Sequence, residues 1–332
     1  MLYDDHFLQQ LETGLRTALP AWDFGPLTEL SLLSVSENAL YLAQDGERRI
    51  VLRVHRPDYH SEAEITSELA WIEALREGDA VTTPEPLAGG DGAFIVGFDA
   101  GATRRVAVAF AHMTGTEPDS DDDLVLWYDR LGAISARLHL HARTWVRPEG
   151  FVRKRWNFDT IIGCSAHWGD WRDALGLDVQ GRAVLERLHA RLRAETEAFG
   201  EGADRFGLIH CDMRAANLLV DGTRLGVIDF DDCGVSWFAY DFAAAISFIE
   251  HEPIVPELAA AWLAGYRRIA PLPPEQERAL PMLVMLRRMQ LTAWIASHAE
   301  TPTAISLGTA YTDGTVTLAE AYLSRGENWA AA

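Results

Sequence analysis

The stretch His210-Cys211-Asp212-Met213-Arg214-Ala215-Ala216-Asn217, with Asp229-Phe230-Asp231 beginning twelve residues after Asn217, constrains this chain most. Leu218-Leu219-Val220 and Leu225-Gly226-Val227-Ile228 are short apolar runs. Asp221-Gly222 between them is a strong turn signal, so the spacing predicts a β-hairpin. Asn217 stands at its entrance and Asp229 at its exit, which puts both side chains at one edge of a two-stranded ribbon. Asp212 lies on the loop that enters it.

Phosphoryl transfer needs residues of these types. A moving phosphoryl group carries dense negative charge, and its transfer is mainly a matter of positioning and charge neutralisation. Asp229 is the candidate ligand for Mg²⁺, and Asn217 adds a neutral oxygen to the same metal. Mg²⁺ prefers hard oxygen ligands and keeps several waters, so one or two protein ligands suffice. Asp212 is the candidate catalytic residue, accepting a hydrogen bond from the acceptor hydroxyl and aiming it in line. His210 belongs to the same catalytic loop, with the role of holding it by hydrogen bonding.

These residues carry a resemblance. The segment resembles the aminoglycoside phosphotransferase-like (phosphotransferase enzyme) family, near its bacterial stress-response and homoserine-kinase-type members. That family has H-G-D-x-x-x-x-N followed by D-x-D, and Cys211 stands here where Gly is usual. Trp237-Phe238-Ala239-Tyr240-Asp241-Phe242-Ala243 is similar to the family's Y-D-L-A segment. The resemblance implies an α+β, bilobal, protein-kinase-like fold. Residues 1–111 would form a nucleotide-binding N-lobe with an antiparallel sheet and a helix. Residues 112–116 would be the hinge, and 117–332 a mainly helical C-lobe with the catalytic loop and acceptor site. It implies ATP or GTP with Mg²⁺ as cofactors, with His112 and Met113 at the purine edge.

A kinase sets a strand cation on the phosphates and pairs it with a helix Glu. Ile50-Val51-Leu52-Arg53-Val54 is the matching strand and offers Arg53 in place of the usual Lys. Glu68, fifteen residues on, is the candidate partner, with Glu64 one turn earlier. The phosphate-covering loop falls at Ser34-Val35-Ser36-Glu37-Asn38 and has no glycine, so Ser36 and Asn38 are its candidate donors. A typical eukaryotic protein kinase would have a Gly-rich loop there.

The pattern along the chain predicts a helix over 5–18, three strands within 28–55 and a helix over 61–76. Strands near 93–98 and 105–111 complete a unit of five strands and one helix. Asp119–Asp123 forms an acidic stretch ahead of a helix over 124–141, whose His139 and His141 read as structural or solvated. A helix near 180–199 precedes the catalytic loop. Helices near 241–250, 255–268, 275–298 and 316–324 follow it, with Asp241 as an N-cap that braces the loop.

Of 332 residues, 29 are basic and 49 acidic, giving a net charge of −20. Such a chain is poorly suited to nucleic acid or an anionic membrane and attracts cations. The three cysteines form no C-x-x-C pair, which fits a reducing cytoplasm. There is no signal-peptide pattern and no apolar run of about 20 residues. A cytoplasmic monomer or homodimer is the expectation.

For the acceptor, Trp156, Trp168, Trp171, Trp237, Trp294, Glu250, His251 and His298 suit an ammonium-bearing molecule. Arg287 and Arg288 suit an acceptor carboxylate or phosphate instead. The leading expectation is a small-molecule hydroxyl acceptor: an amino alcohol, hydroxy amino acid, sugar or aminoglycoside. The runner-up is a bacterial serine/threonine protein kinase of stress-response type, on Leu52-Arg53-Val54-His55-Arg56-Pro57 and Ile228-Asp229-Phe230-Asp231-Asp232. A third reading is a catalytically weak nucleotide-binding regulator, motivated by Arg53 and the glycine-free loop.

Overall fold

The computed structural model describes residues 5–35, 38–118 and 123–325. Ser36 and most of the Asp119–Asp123 stretch lie outside these. The chain divides into two compact units, residues 1–115 with 146–153, and residues 116–145 with 154–332.

The first unit holds α1 (Asp5–Ala18), β1 (Glu29–Val35), β2 (Ala39–Asp45), β3 (Arg48–Val54), α2 (Glu62–Glu77), β4 (Pro86–Leu87), β5 (Val96–Ala100) and β6 (Thr103–Ala111). The strands make a six-stranded antiparallel sheet in the order β1-β2-β3-β6-β4, with β5 on the other half of β6. Pattern reading expected five strands. The extra one, β4, is a two-residue pairing at the end of β6, too short to leave a periodic signal. The turn between β5 and β6 lies at Gly101, whose φ of +61° suits glycine.

Alternation in β2 and β3 sends Ala39, Tyr41, Ala43, Ile50 and Leu52 inward, where they meet Leu15 of α1 and Trp22. α2 starts at a capping box. Ser61 Oγ accepts the Glu64 N–H, and the Glu64 carboxylate accepts the Ser61 N–H at 2.9 Å. Its Ile65, Leu69, Ile72 and Leu75 are buried, as their spacing predicts. Residues 146–153 pack on the same helix. The Val152 N–H donates to Ser67 Oγ, and Arg153 to the Glu64 carbonyl, both at 2.9 Å.

The second unit is mainly helical. It holds α3 (Leu124–Thr144), α4 (Phe158–Ile161), α5 (Val179–Phe199), β7 (Phe206–Ile209), β8 (Leu218–Asp221), β9 (Arg224–Val227) and β10 (Gly234–Trp237). After them come α6 (Tyr240–Ala245), α7 (Val255–Ile269), α8 (Pro274–Arg278), α9 (Leu280–Ser297) and α10 (Pro302–Arg325). β7 pairs with β10, and β8 with β9 in the expected hairpin. Val220 on β8 exchanges both backbone hydrogen bonds with Thr116, which ties the hairpin to the start of this unit.

Several helix limits differ from the sequence reading. The helix expected over 275–298 breaks at Ala279, because Pro281 has no N–H to continue the ladder. The helix expected over 241–250 is only Tyr240–Ala245, with Ala239 at its N-cap. Asp241 is thus inside the first turn and caps nothing. The last helix begins at Pro302 and is interrupted at Gly308, whose φ is +50°. No described helix is long and apolar enough to cross a membrane.

Two glycines allow α3 and α7 to touch backbone to backbone. A Cβ on Gly132 would lie 2.0 Å from the Trp262 carbonyl oxygen, and one on Gly265 would lie 1.8 Å from that of Asp129. Both neighbours are helical backbone and have no side-chain rotamer by which to yield. Gly265→Ala should therefore cost about 1–3 kcal/mol or more of stability. Gly25→Ala, which meets nothing within 4 Å, should stay within about 0.5 kcal/mol. Urea denaturation of the two variants checks this, and equal midpoints would refute the close crossing.

Candidate active site

The loop from His210 to Asn217 leaves β7, makes one tight turn at Ala215–Asn217 and enters β8. Hydrogen bonds close it onto the far end of the hairpin. Ile228 N–H donates to the Asn217 carbonyl at 2.9 Å, and the Ile228 carbonyl lies 3.1 Å from His210 Nε2. The Asp212 N–H reaches His210 Nδ1 at 3.2 Å. A neutral imidazole protonated on Nε2 satisfies both contacts. His210 is fully buried, and this geometry makes it a tie between loop and hairpin.

Asp212 is 14% exposed and held at both oxygens. Oδ1 accepts from Arg287 Nη2 at 2.5 Å. Oδ2 accepts from Asn217 Nδ2 at 2.8 Å and from Arg214 Nε at 3.2 Å. Asn217 Nδ2 also donates to the Asp212 carbonyl at 2.8 Å. Both its partners are acceptors, so the nitrogen faces Asp212 and the amide oxygen points away. Asp229 follows Ile228 directly, is exposed and has a φ of +61°. Asp231 is buried and Asp232 half-buried.

Cys211 has a φ of +68°, the left-handed region that favours glycine. Its N–H donates to Asp241 Oδ1 at 2.8 Å. Asp241 Oδ2 is 2.9 Å from His139 Nε2, and His139 Nδ1 is 3.1 Å from the Tyr266 hydroxyl. Asp241 is thus a brace, fixed in turn by α3 and α7. Burial, with the Asp241 charge adding to it, pushes the Cys211 thiol well above its ordinary pKa. It is a protonated buried thiol, not a nucleophile.

In the first unit Arg53 Nη2 and Glu68 Oε2 form an ion pair of 2.7 Å, with side chains 3% and 0% exposed. The Arg53 guanidinium lies 5.3 Å from the Phe110 ring centre. Glu64, the other candidate partner, is engaged at the start of α2. Asn38 is buried and accepts the Arg56 N–H at 3.1 Å through Oδ1, so it supports its own loop. His112 and Met113 follow β6 without regular structure and are half-buried.

The acceptor candidates separate. Glu250 is fully buried, 2.7 Å from Arg288 Nη1 and 3.1 Å from the Tyr311 hydroxyl, so it is an internal ion pair and not an ammonium receptor. Arg287 is spent on Asp212. Trp171 is fully buried, Trp156 donates to the Asp232 carbonyl, and Trp237 donates to that of Gly200. Trp168 lies under Arg287, 5.0 Å from ring centre to guanidinium. Trp294 is half-buried and stacked on His298 at 4.8 Å, while His251 is exposed. Arg214 and His139 were assigned no site role from sequence. Arg214 stands inside the motif, which was its signal; nothing local marks His139.

The model of the phosphotransferase enzyme family matches residues 29–276. The chain belongs to that family. The solved structure of a microcompartment-associated aminopropanol kinase is 43% identical, with a TM-score of 0.87 over 93% of this chain and 97% of that one. The amicoumacin kinase hAmiN, in complex with AMP-PNP, Ca²⁺ and Ami, shares the fold at a TM-score of 0.76 and 19% identity, covering 95% of this chain and 94% of that one. Homoserine kinase of Rhodopseudomonas palustris is 27% identical over 85% of this chain and 82% of its own length. The chain is a kinase-type phosphotransferase with an α+β, kinase-like fold.

His139 makes the brace titratable. Burial lowers its pKa from the ordinary 6.5, with the Asp241 hydrogen bond and charge opposing. The unfolded chain therefore takes up a proton near 6.5 that the folded chain refuses. Stability should be full above that pH and fall below it, by up to about 1.4 kcal/mol per pH unit. Half-buried His189, also lowered by burial, adds to the slope. His139→Gln should reduce the pH dependence of the urea midpoint, and an unchanged slope would show that His139 does not carry it.

Proposed function

We propose that this chain transfers the γ-phosphoryl group of ATP, as its Mg²⁺ complex, to the hydroxyl of a small amino alcohol. The contact of Asn217 Nδ2 with Asp212 Oδ2 at 2.8 Å carries the chemical half of this reading. It joins the group that would receive the hydroxyl to the group that would hold the metal. The amide oxygen of Asn217 and the carboxylate of Asp229 are hard oxygen ligands of the kind Mg²⁺ prefers. Among the described residues no three His, Cys, Asp or Glu side chains gather to hold a metal alone, so phosphates and water would complete its shell. The metal would neutralise phosphate charge, and Arg53, fixed by Glu68, is the candidate cation for the same task in the first unit.

In the transfer, the acceptor oxygen bonds to the γ-phosphorus while the bond to the bridging oxygen breaks. That electron pair leaves with the nucleoside diphosphate. Asp212 orients the hydroxyl and receives its proton late, because the transition state is loose.

The likeness to an aminopropanol kinase supports the choice of acceptor, as does the net charge of −20, which favours a cationic substrate. ADP release should depend on an amino alcohol such as 1-amino-2-propanol, and exceed that with homoserine, sugars, aminoglycosides or a protein acceptor. Asp212→Asn should cut turnover by about 10²–10⁴-fold with nucleotide affinity retained. Equal turnover in that variant would remove Asp212 from the mechanism, and strongest release with another acceptor would replace the amino alcohol. Asp229→Ala should abolish the gain in nucleotide affinity that Mg²⁺ gives, measured by calorimetry with and without the ion. A gain that survives the substitution would assign the metal elsewhere.

A further inference from the structure

We propose that Arg287 is the positioning residue of the transfer, a buried link from α9 that fixes Asp212 for the incoming hydroxyl. This rests on the assignment of Asp212 made above.

Arg287 is 2% exposed, and a buried guanidinium is tolerated only where its donors and charge are met. Its Nε donates to Ser247 Oγ at 3.0 Å, just beyond α6. Nη1 donates to Gln290 Oε1 at 3.2 Å and lies 3.5 Å from the Cys211 carbonyl. Tyr240 donates to the same Gln290 oxygen. Nη2 reaches Asp212 Oδ1 at 2.5 Å. The indole of Trp168 lies 5.0 Å from the guanidinium carbon. The planar fork is thus held at Nε by Ser247 and at Nη1 by Gln290 of α9 and the loop carbonyl of Cys211, and it presents Nη2 to the catalytic carboxylate. A lysine has no such fork and would leave most of these acceptors unmet.

The arrangement also decides where the substrate hydroxyl docks. Each carboxylate oxygen accepts about two hydrogen bonds. Oδ2 of Asp212 is filled by Asn217 and Arg214. Oδ1 has taken only Arg287, so its second lone pair is the place for the acceptor O–H. Arg287 therefore sets both the plane of the carboxylate and the oxygen that is used. An error of about 1 Å in such a group costs on the order of 10²-fold in rate.

The test compares wild type, Arg287→Lys, Ser247→Ala and Asp212→Asn for kcat, acceptor KM, nucleotide Kd and phosphorylated product per ADP released. Thermal melts establish that each variant is folded. Arg287→Lys should lose about a hundredfold in kcat, with nucleotide Kd within about twofold and less product per ADP. A merely structural role would not separate kcat from nucleotide affinity or uncouple ADP release. Ser247→Ala, which loosens the fork without touching Asp212, should lower kcat about threefold to tenfold. Wild-type kcat and coupling in a folded Arg287→Lys would overturn the proposal. Should that variant fail to fold, Ser247→Ala decides: reduced kcat at unchanged nucleotide Kd upholds the link, and wild-type turnover overturns it. Asp212→Asn separates the two levels. Turnover retained there defeats the catalytic assignment itself. Turnover lost there but kept in Arg287→Lys defeats the role of Arg287 alone.

Discussion

The left-handed turn at Cys211 is the constraint on which the rest of the site depends. A side chain at φ +68° costs about 1 kcal/mol, and such strain persists only where its surroundings over-determine it. Here the compensation is the Asp241 carboxylate, which takes the Cys211 N–H inside the protein. The left-handed residue stands two positions beyond β7 and immediately before Asp212, which lies alongside Asn217 at the mouth of the hairpin. Asp241 can do this because His139 holds its other oxygen, and His139 because Tyr266 holds its far nitrogen. That line crosses α3 and α7, the helices that Gly132 and Gly265 allow to touch. Close helix packing is thereby connected, bond by bond, to the aim of one carboxylate.

The buried arginines of α9 show how the same helix serves two purposes. Residues 287 and 288 are about 100° apart around a helix axis, so their side chains cannot share a partner readily. Arg287 turns to the catalytic loop, whereas Arg288 turns to Glu250, Tyr311 and Thr315. Removing charges from water is expensive, and a buried pair stabilises less than its geometry suggests. Arg288 ties α9 to α10 through Tyr311 and Thr315, with Glu250 meeting its charge. Arg287 meets a carboxylate that is still 14% exposed, as the role proposed for Asp212 requires.

What the sequence reveals here is spacing along the chain. The Asp-to-Asn interval, the Asp221-Gly222 turn and the fifteen residues from Arg53 to Glu68 are local or nearly so. The contacts of Asn217 with Asp212 and of Arg53 with Glu68 appear at those intervals. Partners that come from distant elements were not legible. Glu250 read as an ammonium receptor until Arg288 and Tyr311, from two later helices, filled it. Arg287 read as a binder of substrate anion, and its anion is the protein's own Asp212. Asp241 read as a helix cap because it precedes an apolar run, yet the helix begins one residue earlier and frees the carboxylate for the loop. In each case the residue type was informative about chemistry, and only the packing of helices decided its partner.

Arg53 illustrates the limit from the other direction. Its departure from lysine suggested a weakened nucleotide site. A lysine ammonium is a compact point charge that meets a glutamate and a phosphate at one centre through its three donors. A guanidinium spreads its charge over a plane with five donors. The contact with Glu68 runs through Nη2, and the Phe110 ring packs near the guanidinium, so the plane of the cation is set. The same helix residue that a lysine would need as an orienting partner here orients a larger cation. Bulk at position 53 is therefore matched by a buried glutamate and an aromatic neighbour. That fixed orientation fits the phosphate-binding role proposed for Arg53.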